Sequence, residues 1–164
     1  MIQYQNSMLP KLLAKEKISI QHGNYQTAWF DIKNRTLGLP LWKDMSKDEY
    51  DLLVGHEVGH ALETPYEGWH DSKEKLEGCP RSYINVIEDA RIERKIQNKY
   101  PGLKKCFYNS YGKLLKSNFF HTDGQDINKL LFIDRLNLKA KLGTQIDIEF
   151  NADEQKFYDR SMTT

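Results

Sequence analysis

His56-Glu57-Val58-Gly59-His60 constrains this chain more than any other stretch of it. Two histidines four positions apart face the same way only on an α-helix, where they sit one above the other. So placed, both imidazoles can reach one ion at about 2.0–2.1 Å. The glutamate beside the first histidine lies next to such an ion, where it can take a proton from a water at the metal. The pattern therefore asks for a helix, and the flanking residues supply one. Ser46-Lys47-Asp48-Glu49 reads as a capping box, in which the serine and the glutamate each satisfy the other's backbone N–H. A helix is expected from Ser46 to about Leu62, closed by Pro65 and Gly68.

Catalytic zinc sites commonly use three protein ligands and leave a fourth position open. One known extension of the motif needs a glycine three residues after His60 and a histidine six after it. Glu63 and Tyr66 stand there, which removes that class. The remaining solution is a carboxylate from a following helix. Asn85-Val-Ile-Glu88-Asp89-Ala-Arg91-Ile-Glu93 lies in a segment predicted to be helical from about Arg81 to Lys99, ended by Pro101-Gly102. Glu88 falls between Ile84 and Ile92 on one stripe, and a carboxylate in an apolar stripe needs a partner or a metal. Asp89, one position on, is the alternative third ligand. Tyr66 and His70 are further candidates for contacts to substrate or a developing oxyanion, Thr64 for orienting a ligand and Arg91 for anchoring a carboxylate. His22 and His121 lie far from the motif and are expected to be structural or exposed.

The rest of the chain suggests an α+β fold: a mainly helical domain with a small N-terminal sheet against the metal-binding helix. A short helix is expected from about Leu9 to Lys17. Ile18–Ile20, Thr27–Ile32 and Asn34–Leu39 read as two or three strands of a small sheet, the last two segments joined by a turn at Lys33-Asn34. Further helices are predicted over about Leu103 to Phe119 and about Asp126 to Leu142, the latter capped by Gly143. Ile146 to Phe150 alternates like a short strand. Asn151-Ala-Asp-Glu154 is a second capping box, opening a helix that reaches the last residues. That abrupt ending suggests that the single domain, residues 1–164, is the N-terminal part of a longer protein.

Composition narrows the function. Lys and Arg number 24 against 23 for Asp and Glu, a formal net charge of +1. Without a basic arm there is no electrostatic case for nucleic acid as the main partner. Cys79 and Cys106 read as free thiols in a reducing compartment. No secretory leader and no apolar run of membrane-spanning length is seen, so the expected location is the cytoplasm.

The stretch His56-Glu-Val-Gly-His-Ala-Leu-Glu-Thr64, followed by Asn85-Val-Ile-Glu-Asp-Ala-Arg-Ile-Glu93, resembles the metallopeptidase-like domains that precede von Willebrand factor A domains. Some of these occur in large bacteriophage proteins and others are related to a cobaltochelatase subunit. The similarity runs from roughly Thr27 to Phe157, and in wider terms the chain looks like a gluzincin. The resemblance implies a zincin-type core, a zinc ion, a C-terminal partner domain and an AAA+ ATPase partner, with the host cytoplasm as location if the protein is phage-encoded. It favours Glu88 as third ligand, since Glu88 matches the first glutamate of its Glu-x-x-Arg-x-Glu pattern. The expected activity is zinc-dependent hydrolysis of a protein or peptide substrate, with His56 and His60 as ligands and Glu57 as catalytic base. The alternative is a metal-binding interaction module that acts with those partners and turns nothing over.

Overall fold

The structure, a computed structural model, describes residues 17–163. All but the last residue of the helix expected from about Leu9 to Lys17 lies outside them. The fold is α+β. Three short strands come first: β1 (Ser19–Gly23), β2 (Trp29–Asp31) and β3 (Thr36–Pro40). They form one sheet in the order β1-β3-β2, with β1 parallel and β2 antiparallel to the central β3. Strand β3 turns Leu37 and Leu39 into the core, each 1% exposed. Gly38 lies between them on the opposite face. A side chain there would collide with the ring of Trp29, its antiparallel partner, which explains a glycine inside a strand. The turn from β2 to β3 is held by the Asp31 carboxylate, which accepts from the backbone N–H of Lys33 and of Asn34, each at 2.9 Å.

Five longer helices follow: α1 (Lys47–Glu63), α2 (Arg81–Lys99), α3 (Leu103–Lys116), α4 (Phe132–Leu142) and α5 (Ala152–Thr163). A bend at Tyr66–Trp69, where Glu67 and Gly68 leave helical geometry, and a single helical turn at Ser72–Lys75 lie in the connection from α1 to α2. The predicted capping box opens α1. Ser46 N–H donates to Glu49 Oε2 at 2.8 Å, and Glu49 N–H donates back to Ser46 Oγ at 3.3 Å. Helix α1 is the centre of the molecule. It packs on β2 and β3 on one side and on α2 and α3 on the other, and α4 and α5 close over α2. Val54, Val58, Ile96, Phe107, Leu138 and Leu142 fill the space between them. No helix among the described residues is long and apolar enough to cross a membrane.

Two expected elements change form. The helix predicted from about Asp126 begins only at Phe132, after a single 3-10 turn at Ile127–Lys129. Asp126 caps that turn by accepting from Asn128 N–H, an alternative to the helical ladder that aspartate offers readily. Leu130 and Leu131 are then extended, and Arg135 Nε donates to the Leu130 carbonyl. The strand predicted at Ile146 to Phe150 keeps its alternation, with Ile146 and Ile148 buried and Asp147 and Glu149 exposed. It joins no sheet, because side chains take the backbone groups a ladder would use. Asn128 Oδ1 accepts from Glu149 N–H, Arg135 donates to Glu149 O and Lys139 to Ile146 O.

Candidate metal centre

Helices α1 and α2 lie face to face, and each presents a pair of side chains four residues apart. His56 meets Glu93 and His60 meets Asp89. The descending order on α2 is what antiparallel helices require. Their close approach depends on Gly59, where an added Cβ would come within 2.8 Å of Ile92 Cδ1. His56, His60 and Asp89 form a group able to hold a metal ion, their donor atoms all within 4.8 Å of one another. His60 Nε2 lies 3.3 Å from Asp89 Oδ1, and His56 Nε2 lies 3.8 Å from the same oxygen.

The outer nitrogens of the two rings have partners of their own. His56 Nδ1 is 2.8 Å from Glu93 Oε1, and His60 Nδ1 is 3.0 Å from Thr64 Oγ1. Thr64 donates its single hydroxyl proton to Glu88, so toward His60 its oxygen can only accept. Glu93 is likewise an acceptor. In its neutral form each imidazole would therefore carry its proton on Nδ1 and turn the Nε2 lone pair toward Asp89. Three acceptors so gathered suit a cation, and carboxylate or hydroxyl support behind the rings is the usual second layer of a metal site.

Glu88, the first candidate from sequence, is turned away from that group. Arg91 grips it through Nε at 2.7 Å and Nη2 at 2.8 Å, and Arg91 Nη2 also donates to the Glu63 carbonyl at 2.7 Å. The carboxylate that meets both imidazoles is Asp89. One step along a helix turns a side chain by about 100°, which separates these two roles. The Glu-x-x-Arg-x-Glu pattern thus keeps its place at the site with different duties: Glu88 and Arg91 hold Thr64 and the end of α1, while Glu93 holds His56.

Charge balance depends on a residue the sequence did not suggest. Lys141, near the end of α4, lies 2.8 Å from Glu93 Oε1 and 3.7 Å from Asp89 Oδ2. Tyr111 of α3 donates to Glu93 Oε1 at 2.5 Å. Burial penalises the Glu93 charge, yet the Lys141 charge and the bond to His56 pull its pKa down to about 2. Burial disfavours the Lys141 ammonium too, but Glu93, Tyr111 and Asp89 outweigh it and raise its pKa. Asp89 remains below the usual carboxylate range: burial would raise it, and His60, His56 and Lys141 lower it further. Glu57 behaves in the opposite way. It is 8% exposed, and burial lifts its pKa despite the nearby histidines.

Two cavities flank Trp69, whose ring centroid lies 6.4 Å from that of His60. A cavity of about 850 Å³ runs behind His60, past Thr64, Glu88 and Arg91, between the apolar side chains of Ile84, Ile87 and Phe132. A smaller one of about 510 Å³ lies beside the edge strand β2 and takes in Tyr66 and His70. Neither is lined by His56, His60 or Asp89. Tyr66 and His70 stack on each other at 5.5 Å between ring centroids and are exposed. His22 and His121 are exposed as well and take no part in the group. Comparison of the chain with protein families, with curated proteins and with solved structures found no match.

Proposed function

We propose that this chain is a zinc-dependent hydrolase, a metallopeptidase of the zincin kind, with His56, His60 and Asp89 as metal ligands and Glu57 as catalytic base. One observation carries the reading: two imidazole nitrogens and a carboxylate oxygen lie within 4.8 Å of one another, with a buried glutamate next to the first histidine. Two nitrogens and one oxygen are a donor set that zinc accepts in catalytic sites. When bound, zinc polarises the scissile carbonyl and makes a water acidic near neutral pH.

The chain's own residues do the rest. Glu57 takes the proton of the attacking water and hands it to the leaving amine. A carboxylate whose pKa is raised by burial suits that two-way transfer. Glu93 and Thr64 fix the rings, and Lys141 offsets the crowd of carboxylates. Strand β2 is an edge of the sheet and packs on α1, so an extended substrate can add to it as a further strand. The resemblance to domains that precede von Willebrand factor A domains supports a partner domain and an AAA+ ATPase acting with this one. Two free cysteines favour a reducing cytoplasm, that of the host if the protein is phage-encoded.

The test pairs metal content with turnover. Glu57→Gln is expected to keep stoichiometric zinc and to lose peptide hydrolysis by orders of magnitude against wild type. Zinc-loaded wild type that cleaves no protein or peptide leaves the second reading, a metal-binding module acting through partners, as the one to pursue.

A further inference from the structure

The cavity beside β2 is lined by more positive than negative charge. One wall is Phe30, Asp31, Ile32 and Lys33, where the edge strand runs into its turn. The other includes Trp69, Lys73 and Arg81. Arg81 is held in place rather than paired. Its guanidinium lies 4.1 Å from the Trp69 ring centroid, and Nη1 donates to Ser72 Oγ at 2.7 Å and to Trp69 O at 3.2 Å. Those are neutral acceptors, and among the described residues neither Arg81 nor Lys73 forms an ion pair with a carboxylate. The one acid on the wall, Asp31, is engaged by the backbone of its own turn and by the Asn34 side chain at 2.7 Å. Three cations against one carboxylate thus leave the recess net positive beside a strand edge that is unpaired among the described residues, and Trp69 connects that recess to His60.

We infer that this cavity is a specificity pocket for an acidic side chain, Asp or Glu, on an extended peptide laid along β2. The inference takes the peptidase reading as the source of its substrate. The geometry favours a carboxylate because a guanidinium fixed by stacking offers its remaining N–H groups as a preformed fork. Main-chain bonds to the strand edge supply affinity, and the pocket supplies selection.

The experiment measures binding without turnover. Fluorescence anisotropy follows a labelled peptide of alternating Glu and Thr, and the same peptide with Gln for Glu, on Glu57→Gln protein at low salt with zinc present or omitted. The acidic peptide is expected to bind about tenfold tighter, the advantage shrinking with added NaCl. Lys73→Gln, a change on an exposed side chain, and Arg81→Gln are each expected to reduce it. Equal affinity for the two peptides, binding of neither, or an advantage unchanged in both variants overturns the pocket. The two readings fail separately. Charge-selective binding with no cleavage by zinc-loaded wild type keeps the pocket and removes the peptidase. Cleavage of both peptides at one rate does the reverse.

Discussion

His56 Nδ1 stands 2.8 Å from Glu93 Oε1, a carboxylate contributed by the helix that also brings Asp89 to His60. The candidate metal centre is in effect a two-rung contact between antiparallel helices. On one rung an imidazole is oriented from behind. On the other an imidazole meets the proposed third ligand. This division of labour sets what each substitution should do.

Asp89→Ala should abolish stoichiometric zinc, and Glu88→Ala should not. Removing Glu88 leaves the three donor atoms in place but deprives Thr64 and Arg91 of their shared acceptor. Support of that kind is worth about 10–100-fold in metal affinity. Elemental analysis after dialysis, followed by competition against a zinc chelator, separates loss from weakening. Loss of metal in Glu88→Ala alone would reverse the assignment.

Glu93→Gln should destabilise the fold by about 3 kcal/mol, because it leaves the buried Lys141 ammonium with only the more distant Asp89 carboxylate, 3.7 Å away, as counter-charge. The double variant Glu93→Gln, Lys141→Met should recover much of that loss, since removing both charges is far less costly than removing one. Urea unfolding of the two single variants and the double closes the cycle. Additive losses would show that the two residues act independently.

Stability should fall in acid through the α1 cap. Burial opposes the Glu49 charge, but the Lys113 ammonium at 2.7 Å and the Ser46 donors hold its folded pKa below that of an exposed glutamate. A depressed folded pKa means that the contribution is complete above the unfolded value and is lost as pH drops through the folded one. Glu49→Gln should flatten that part of the urea-midpoint profile. Ser46→Ala should cost roughly 0.5–2 kcal/mol near neutral pH.

Alkylation at pH 8 should reach Cys79 and spare Cys106 until the protein unfolds. Cys106 is 8% exposed, and burial with the nearby Asp51 and Asp48 carboxylates pushes its thiol up to about 12. Its Sγ lies 3.2 Å from the Asp48 carbonyl. Mass spectrometry of peptides from native and denatured samples reads both sites at once.

The site was legible in sequence where its geometry is local. The i, i+4 histidines, the capping box and the proline and glycine breaks placed α1 and α2 nearly to the residue. Glu88 was favoured over Asp89 because its isoleucine neighbours mark an apolar stripe. Yet Glu88 uses that inward position to meet Thr64 and Arg91. Asp89 and Glu93 are themselves four apart, and matching that pair against His56 and His60 on an antiparallel partner selects the face that meets the histidines. Lys141 had no such signal. It comes from a helix distant in sequence, through packing that no local spacing encodes. The late start of α4 was hidden for a similar reason, since Arg135 ties the Leu130 carbonyl at the break to the Glu149 carbonyl beyond the far end of α4.

Gly59 carries a consequence for ion choice. Its bare backbone lets the Ile92 side chain seat against α1, and the nearest atom, Cδ1, is a flexible end that can give. The spacing between the imidazoles and Asp89 thus rests on one missing methyl group and one yielding side chain, while the two nitrogens and single oxygen lack the extra oxygen donors that calcium prefers. An alanine in its place would have to push Ile92 aside, shifting α2 against α1 while leaving every proposed ligand in the chain.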